Sequence, residues 1–376
     1  MSALDLPFDA DQMLAGLRPW VECESPTWDA AAVTRMMNLA ARDLSDIGAA
    51  VEVIPGTQGF GTSIRAIFPH ADQGAPGILV SGHLDTVHPI GTLDKLPFRV
   101  EDGRAYGPGI MDMKGGNYVF LEAMRQIGRA GLTTPLPVTF LFTPDEEVGT
   151  PATRGLIEEA ARGQRAVLLP EPASPDGGAV IGRYAIARFD LLTEGRPSHA
   201  GWALKDGRSA IAAMARRILQ IEAMTTEDCT FSVGVIHAGQ WVNCVSSTCR
   251  AEVLSMAKTQ ADLDRGVAAL LALQGPEDGV EFTVTRGVTR PVWEPQPGTM
   301  ALYDLAQEVS SEIGFDLSAG SAGGGSDGNF TGAMGVPTLD SIGVRGRGLH
   351  TLDEHILTSS LTERARLAAG LLTRIT

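Results

Sequence analysis

The sequence predicts an α/β fold interrupted by a smaller α+β domain, and three patterns predict it. Apolar runs at 77–80, 136–142, 166–169 and 336–342 recur with helical segments between them, the rhythm of a mixed sheet with helices on both faces. Between about 181 and 291 the order becomes strand, helix, strand, strand, helix, strand, as in a ferredoxin-like sandwich. After Pro291 the first rhythm resumes. The expected division is 1–180 and 292–376 for the α/β domain and 181–291 for the insertion.

Each element has a local reason. Met13, Leu14, Leu17 and Trp20, then Val33, Met36, Met37, Ala40 and Leu44, fall at helical spacing on either side of a break at Ser25 and Pro26. Strand-like 51–54 and 62–68 follow, and Val119, Phe120, Ala123 and Ile127 give 117–128 a helical stripe. Inside the insertion the expected strands are 186–193, 229–238, 244–256 and 281–286, and the expected helices 208–224 and 261–273.

At 376 residues, 44% apolar and 20% charged, the chain can bury a large core. Its net charge of −15 argues against nucleic acid or an anionic membrane as partner, since both attract basic surfaces. A small molecule or a dipeptide-like substrate fits better. MSALDLPFDADQ has no signal-peptide pattern and no apolar run is long enough to span a bilayer, so a cytoplasmic protein is expected. Cys23, Cys229, Cys244 and Cys249 show no C-x-x-C spacing and read as reduced thiols, Cys244 and Cys249 on opposite faces of one strand.

Chemistry-bearing residues gather where apolar runs end. His83 closes the run at 77–80, with Asp85 two positions on; Asp112 follows a Gly-rich turn; Glu146 and Glu147 follow 136–142; Glu171 follows 166–169; His350 lies in a loop after the last run. Ends of strands are the expected address of a site in an α/β fold. Two divalent cations would be balanced by Asp112, Glu147, Glu171 and a hydroxide, with His83 and His350 neutral. Imidazole and carboxylate without thiolate suit zinc or a similar ion. Asp85, or a group it positions, would orient the His83 ring. If 146–147 is extended, the two side chains point oppositely, which leaves Glu146 free as general base while Glu147 binds metal.

Taken in order, SGHLDTV, GPGIMDMKGG, TPDEEVGT, PEP, GRPSHAG and GLHTLDE resemble the co-catalytic dizinc exopeptidases and amidohydrolases, which include carboxypeptidase G, aminoacylase and succinyl-diaminopimelate desuccinylase. The resemblance implies a zinc-dependent α/β/α catalytic domain and an inserted domain that pairs two subunits. It implies two Zn2+ per chain, with Co2+ or Mn2+ as substitutes, one ion on His83, Asp112 and Glu171 and the other on Asp112, Glu147 and His350. Glu146 then matches the general base and Asp85 its supporting carboxylate. His199 in PSHAG matches a histidine that crosses the dimer to stabilise the oxyanion, and Asn243 a substrate-binding residue. The loop holding Ser326 and Asp327 matches one lining the substrate cleft. Met256 stands where carboxypeptidase-type relatives carry an arginine, which leaves Arg250, Arg290 and Arg345 as cations for a substrate carboxylate.

The expected activity is hydrolysis of an amide bond in a small N-acyl amino acid, dipeptide or related conjugate, by a homodimer. A carboxypeptidase G-like exopeptidase is the alternative within that class. A metal-stabilised binding protein without catalysis is the alternative outside it; a free Glu146 beside a full ligand set argues against this last reading.

Overall fold

The computed structural model describes residues 2–376, and they form two compact units. The first holds the described residues up to Gly182 together with Glu294–Ala322 and Ser326–Thr376; the second holds Arg183–Trp293 and Gly323–Gly325.

In the first unit a six-stranded sheet runs Ala50–Ile54, Ser63–Ile67, Val138–Thr143, Ile78–His83, Ala166–Leu168, Thr338–Leu339. The two strands at one edge pair antiparallel with each other, the second also pairs antiparallel with Val138–Thr143, and the remaining three pairings are parallel. Strand alternation divides the side chains between two cores. Ile78, Val80, Phe140, Phe142 and Leu168 face the main one, built with helices Ala10–Glu22, Gly115–Arg129, Pro297–Ile313 and Thr358–Arg374. Leu79, Leu141 and Val167 face Ile157 and Ala161 of helix Arg154–Ala161. Both faces of the central strands are covered, which explains their unbroken apolar runs. At the centre of the main core the buried Trp20 ring meets Tyr118 and Phe142 edge-on, at centroid distances of 5.5 and 6.4 Å, while its indole nitrogen donates to Asp43 at 2.8 Å.

The second unit is a five-stranded antiparallel sheet in the order Cys229–Ala238, Thr248–Ala257, Ala185–Glu194, Val280–Arg290, Gly275–Glu277. Helices Ala210–Glu222 and Gln260–Leu271 cover one face, where Ala187, Phe189, Leu191, Ala251 and Val253 meet Met214 and Leu263. The ferredoxin-like order carries one addition, the three-residue edge strand Gly275–Glu277. One expectation is corrected: the strand read at 244–256 begins at Thr248. Cys244 is therefore in an exposed loop and Cys249 is buried in the strand, and all four cysteines are free. No helix of the described residues is long and apolar enough to cross a membrane.

Candidate metal centre

Five of the residues singled out in the sequence meet at the carboxyl ends of the parallel strands. His83 is the last residue of its strand. Its Nε2 lies 3.2 Å from Asp112 Oδ1 and 3.9 Å from Glu171 Oε1. On the far side of the same carboxylate, Asp112 Oδ2 is 3.2 Å from His350 Nε2, which is also 3.3 Å from Glu147 Oε2. Asp112 thus stands between two sets of donors. Ligand atoms of His83, Asp112 and Glu147 lie within 4.8 Å of one another.

The backbone is shaped to bring these groups together. Gly82 lacks the β-carbon that would meet the Asn117 amide, so Asn117 reaches the His83 carbonyl and donates to it at 2.7 Å. A β-carbon on Gly116 or on Gly343 would strike the Pro170 carbonyl, so helix Gly115–Arg129 and the 340–344 loop close directly on the segment bearing Glu171. His350 adopts φ of 61°, in the left-handed region that non-glycine residues seldom occupy.

Asp85 acts through two different groups. The His83 Nδ1 is 3.0 Å from the Asp85 main-chain carbonyl and 3.4 Å from its Oδ1, so the carbonyl is the nearer acceptor and leaves Nε2 toward Asp112. The Asp85 carboxylate accepts from the Glu146 N–H at 3.2 Å, the Glu147 N–H at 3.3 Å and the Thr27 hydroxyl at 2.7 Å. One residue holds both the ring and the acidic turn. That turn differs from the expectation: Glu146–Val148 is a single 3-10 turn, not extended chain. Three residues per turn separate neighbouring side chains by about a third of a circle, so Glu146 and Glu147 diverge without pointing oppositely.

The electrostatics favour a cation. Burial pushes Glu147 up to about 8, with the Asp112 charge adding to it, and also raises Glu171 well above the carboxylate range. Burial acts against Asp112 too, yet hydrogen bonds from His350 and His83 hold it low. His350 is pushed up to about 10 by its bonds to Asp112 and Glu147. At His83, burial is outweighed by Asp112 and Asp85, and the ring is held well above its usual value. Each ring turns its Nε2 to Asp112, where a bound metal would take the place of a ring proton. Glu147 Oε1 is buried and has no hydrogen-bond partner, a costly state for a carboxylate oxygen unless an ion meets it. The donor set and this orphaned oxygen fit a divalent metal.

A family model for peptidase family M20/M25/M40 matches residues 79–374. The chain belongs to this family. Carboxypeptidase G2 of a Pseudomonas species is 31% identical to the M20 chain over 367 residues, 95% of this chain and 87% of that protein. Succinyl-diaminopimelate desuccinylase of Gluconacetobacter diazotrophicus is 27% identical over 334 residues, 82% of this chain and 84% of the other. Aminopeptidase PepT from Bacillus cereus shares the fold at a TM-score of 0.77 and 21% identity, over 98% of this chain and 99% of its own. The protein is a metal-dependent M20 hydrolase.

Other candidates of the M20 chain are placed differently. Ser326 and Asp327 are fully buried, the first bonded to Asp340 and the Gly328 N–H, the second to the Thr150 hydroxyl at 2.7 Å. Neither side chain is exposed in the chain by itself. Arg345 is half exposed and paired with Glu363 at 3.4 Å. His199 and Asn243 come together in the second unit, where the Ala200 N–H donates to the Asn243 carbonyl at 2.9 Å. His199 Nδ1 accepts from the Gly201 and Trp202 N–H groups at 3.1 and 3.2 Å; a neutral ring there carries its proton on Nε2 and is a donor. Met256 pairs in register with Ile186, and Ile186 with the buried Arg290 on the next strand. Arg290 is thus the arginine on the same cross-strand row.

Sequence reasoning missed Glu354. It is fully buried, and its carboxylate accepts from His88 Nε2 at 2.7 Å and from the N–H groups of Gly109, Met111 and Asp112 at 2.9, 2.8 and 3.1 Å. It gathers the loop that carries Asp112; the signal was present in the motif GLHTLDE. Glu354→Gln supplies fewer acceptors for the same donors, so we expect a loss of about 1–3 kcal/mol of stability and about a ten- to hundredfold loss of zinc affinity. Chemical denaturation and competitive zinc titration measure the two effects.

Proposed function

We propose that the protein is a dizinc amidohydrolase that cleaves small N-acyl amino acids or dipeptides. The observation that carries this reading is the Asp112 carboxylate lying between His83 and Glu171 on one side and His350 and Glu147 on the other. When bound, the two ions would polarise the scissile carbonyl and acidify water. Glu146, held by its own N–H on Asp85, takes the proton from attacking water and returns it to the leaving nitrogen. His199 Nε2–H, contributed by the second protomer of a homodimer, donates to the developing oxyanion.

Support for the dimer lies in the second unit. Cys229–Ala238 is an edge strand with Val235 and Ile236 exposed, and unpaired edges carrying apolar side chains invite a partner. Trp202 and Trp241, 93% and 72% exposed, flank the His199 and Asn243 loops. Inactive Glu146→Gln and His199→Ala chains should regain activity when mixed and allowed to exchange subunits. No recovery after demonstrated exchange would assign His199 to its own chain.

The reading is tested with zinc-loaded enzyme on a panel of N-acyl amino acids, dipeptides and their carboxamides. Hydrolysis of none would leave the metal-stabilised binding protein. The relationship to carboxypeptidase G2 and the position of Arg290 favour a second reading, in which a substrate carboxylate is bound. Loss of that contact in the carboxamides would then cost about ten- to a hundredfold in kcat/KM, and Arg290→Met would abolish the difference.

A further inference from the structure

Beside the metal centre the first unit holds large apolar side chains in the open. Trp28 is 77% exposed, Ile90 54% and Val87 41%. They line one recess with Pro89, Val148 and Glu147, the last being the carboxylate with the orphaned oxygen. Scattered exposed apolar residues need no explanation, but a contiguous group running into a site marks a binding surface.

The walls of this recess are held in place. Thr86 N–H donates to the Ser25 carbonyl at 2.9 Å, Thr27 N–H to the Thr86 carbonyl at 3.2 Å, and the Ser25 hydroxyl to the Leu84 carbonyl at 2.6 Å. Glu24 accepts from the Gly91 and Leu93 N–H groups at 2.9 and 3.0 Å, which anchors the loop bearing Val87 and Ile90. The Trp28 ring rests on Phe60 at a centroid distance of 5.3 Å. A rigid apolar surface binds with little ordering cost.

Two of its polar side chains are already engaged. The Thr27 hydroxyl bonds Asp85 at 2.7 Å, and the Asp29 carboxylate caps helix Ala30–Ser45 through the Ala32 N–H at 2.9 Å. Among the described residues that line the recess there is no Lys, Arg or His, and the charged ones are Asp29 and Glu147. An acidic substituent would meet the Asp29 carboxylate and no cationic side chain of the lining, with Glu147 given over to metal. An uncharged apolar one would cover the indole and the aliphatic wall.

We propose that this recess receives an uncharged aromatic or branched aliphatic group of the substrate, next to the scissile amide. The inference rests on the hydrolase reading above. It makes Trp28, Val87 and Ile90 determinants of specificity, selecting apolar acyl amino acids or dipeptides over acidic ones.

Two substrate series on the zinc-loaded full chain test it: acetyl, isovaleryl, benzoyl and succinyl on one amino acid, and one acyl group on glycine, leucine, phenylalanine and glutamate. In one series kcat/KM should rise about tenfold or more from the smallest to the large apolar member, with the acidic member lowest. Trp28→Ala should reduce that rise to about threefold or less, and Ile90→Lys should favour the acidic member. Both side chains are more than half exposed, so folding is not at risk. Independently of turnover, N-benzoylglycine should change the tryptophan fluorescence of the metal-free protein saturably, and Trp28→Phe should lose that change.

Hydrolysis without preference for apolar members in either series, or with preference for acidic ones, overturns the proposal and leaves the hydrolase reading standing. Saturable quenching through Trp28 without hydrolysis of any amide supports the recess and overturns the reaction. A change of oligomeric state in Trp28→Ala with unchanged relative rates would assign the recess to a contact between copies, and the proposal would fall.

Discussion

Glu146→Gln should retain its full metal content and lose about a hundred- to ten-thousandfold in kcat, the contribution general base catalysis typically makes. The amide cannot accept a proton from water, while the main-chain N–H that ties residue 146 to Asp85 is untouched. The proposed ligands His83, Asp112, Glu147, Glu171 and His350 are also unchanged, so the loss should fall on kcat and leave metal binding intact. Elemental analysis beside steady-state kinetics checks both halves. Turnover within a few-fold of the parent would take Glu146 out of the proton transfer.

Asp112→Ala should have the broadest effect of any single ligand change, because its two oxygens face different histidines. We expect it to lose both ions and all measurable hydrolysis. His350→Ala should lose one ion and keep the other on His83, Asp112 and Glu171. The same comparison appears in stability: at zinc about a hundredfold above the dissociation constant, binding to the folded state alone adds about 2.7 kcal/mol for each site. That increment should vanish in Asp112→Ala and persist in part in His350→Ala. Equal metal content in the two variants would rule out Asp112 as the shared ligand.

Much of this cluster could be read from the chain because His83, Glu147 and Glu171 follow apolar runs, and strand ends converge in an α/β sheet. Asp112 and His350 lie in loops, and their motifs rather than a strand pointed to them. Strands buried on both faces announce themselves by short unbroken apolar runs, such as Ile78, Leu79 and Val80 at the start of Ile78–His83. Residues whose work depends on tertiary closure were harder. Glu354 meets its four donors because short strands at Arg104–Tyr106 and His355–Leu357 pair and bring the Gly107–Asp112 loop around it. Strands of three residues leave too little periodicity to recognise.

Local geometry misled in two places. An acidic pair after a strand invites the reading of continued extension, but the chain turns at once into the Glu146–Val148 coil. Ser326 and Asp327, in a Gly-rich loop that looks open, are buried against Asp340 and Thr150. The Trp28 recess was also illegible, since its parts come from three separated segments, two joined by main-chain hydrogen bonds and the third held on the Asp85 carboxylate.

The double attachment at Asp85 makes two properties of the enzyme a single variable. Its carbonyl sets the tilt of the His83 ring and its carboxylate suspends the main chain of Glu146 and Glu147. A shift of that residue by a few tenths of an ångström would turn His83, the proposed ligand, and displace Glu146, the proposed base, in the same motion. With those roles, affinity for the ion and efficiency of proton transfer are geared together at this position. Selection among variants of the 84–86 segment should find them rising and falling as one trait, whereas substitutions around Glu354 would move the metal alone.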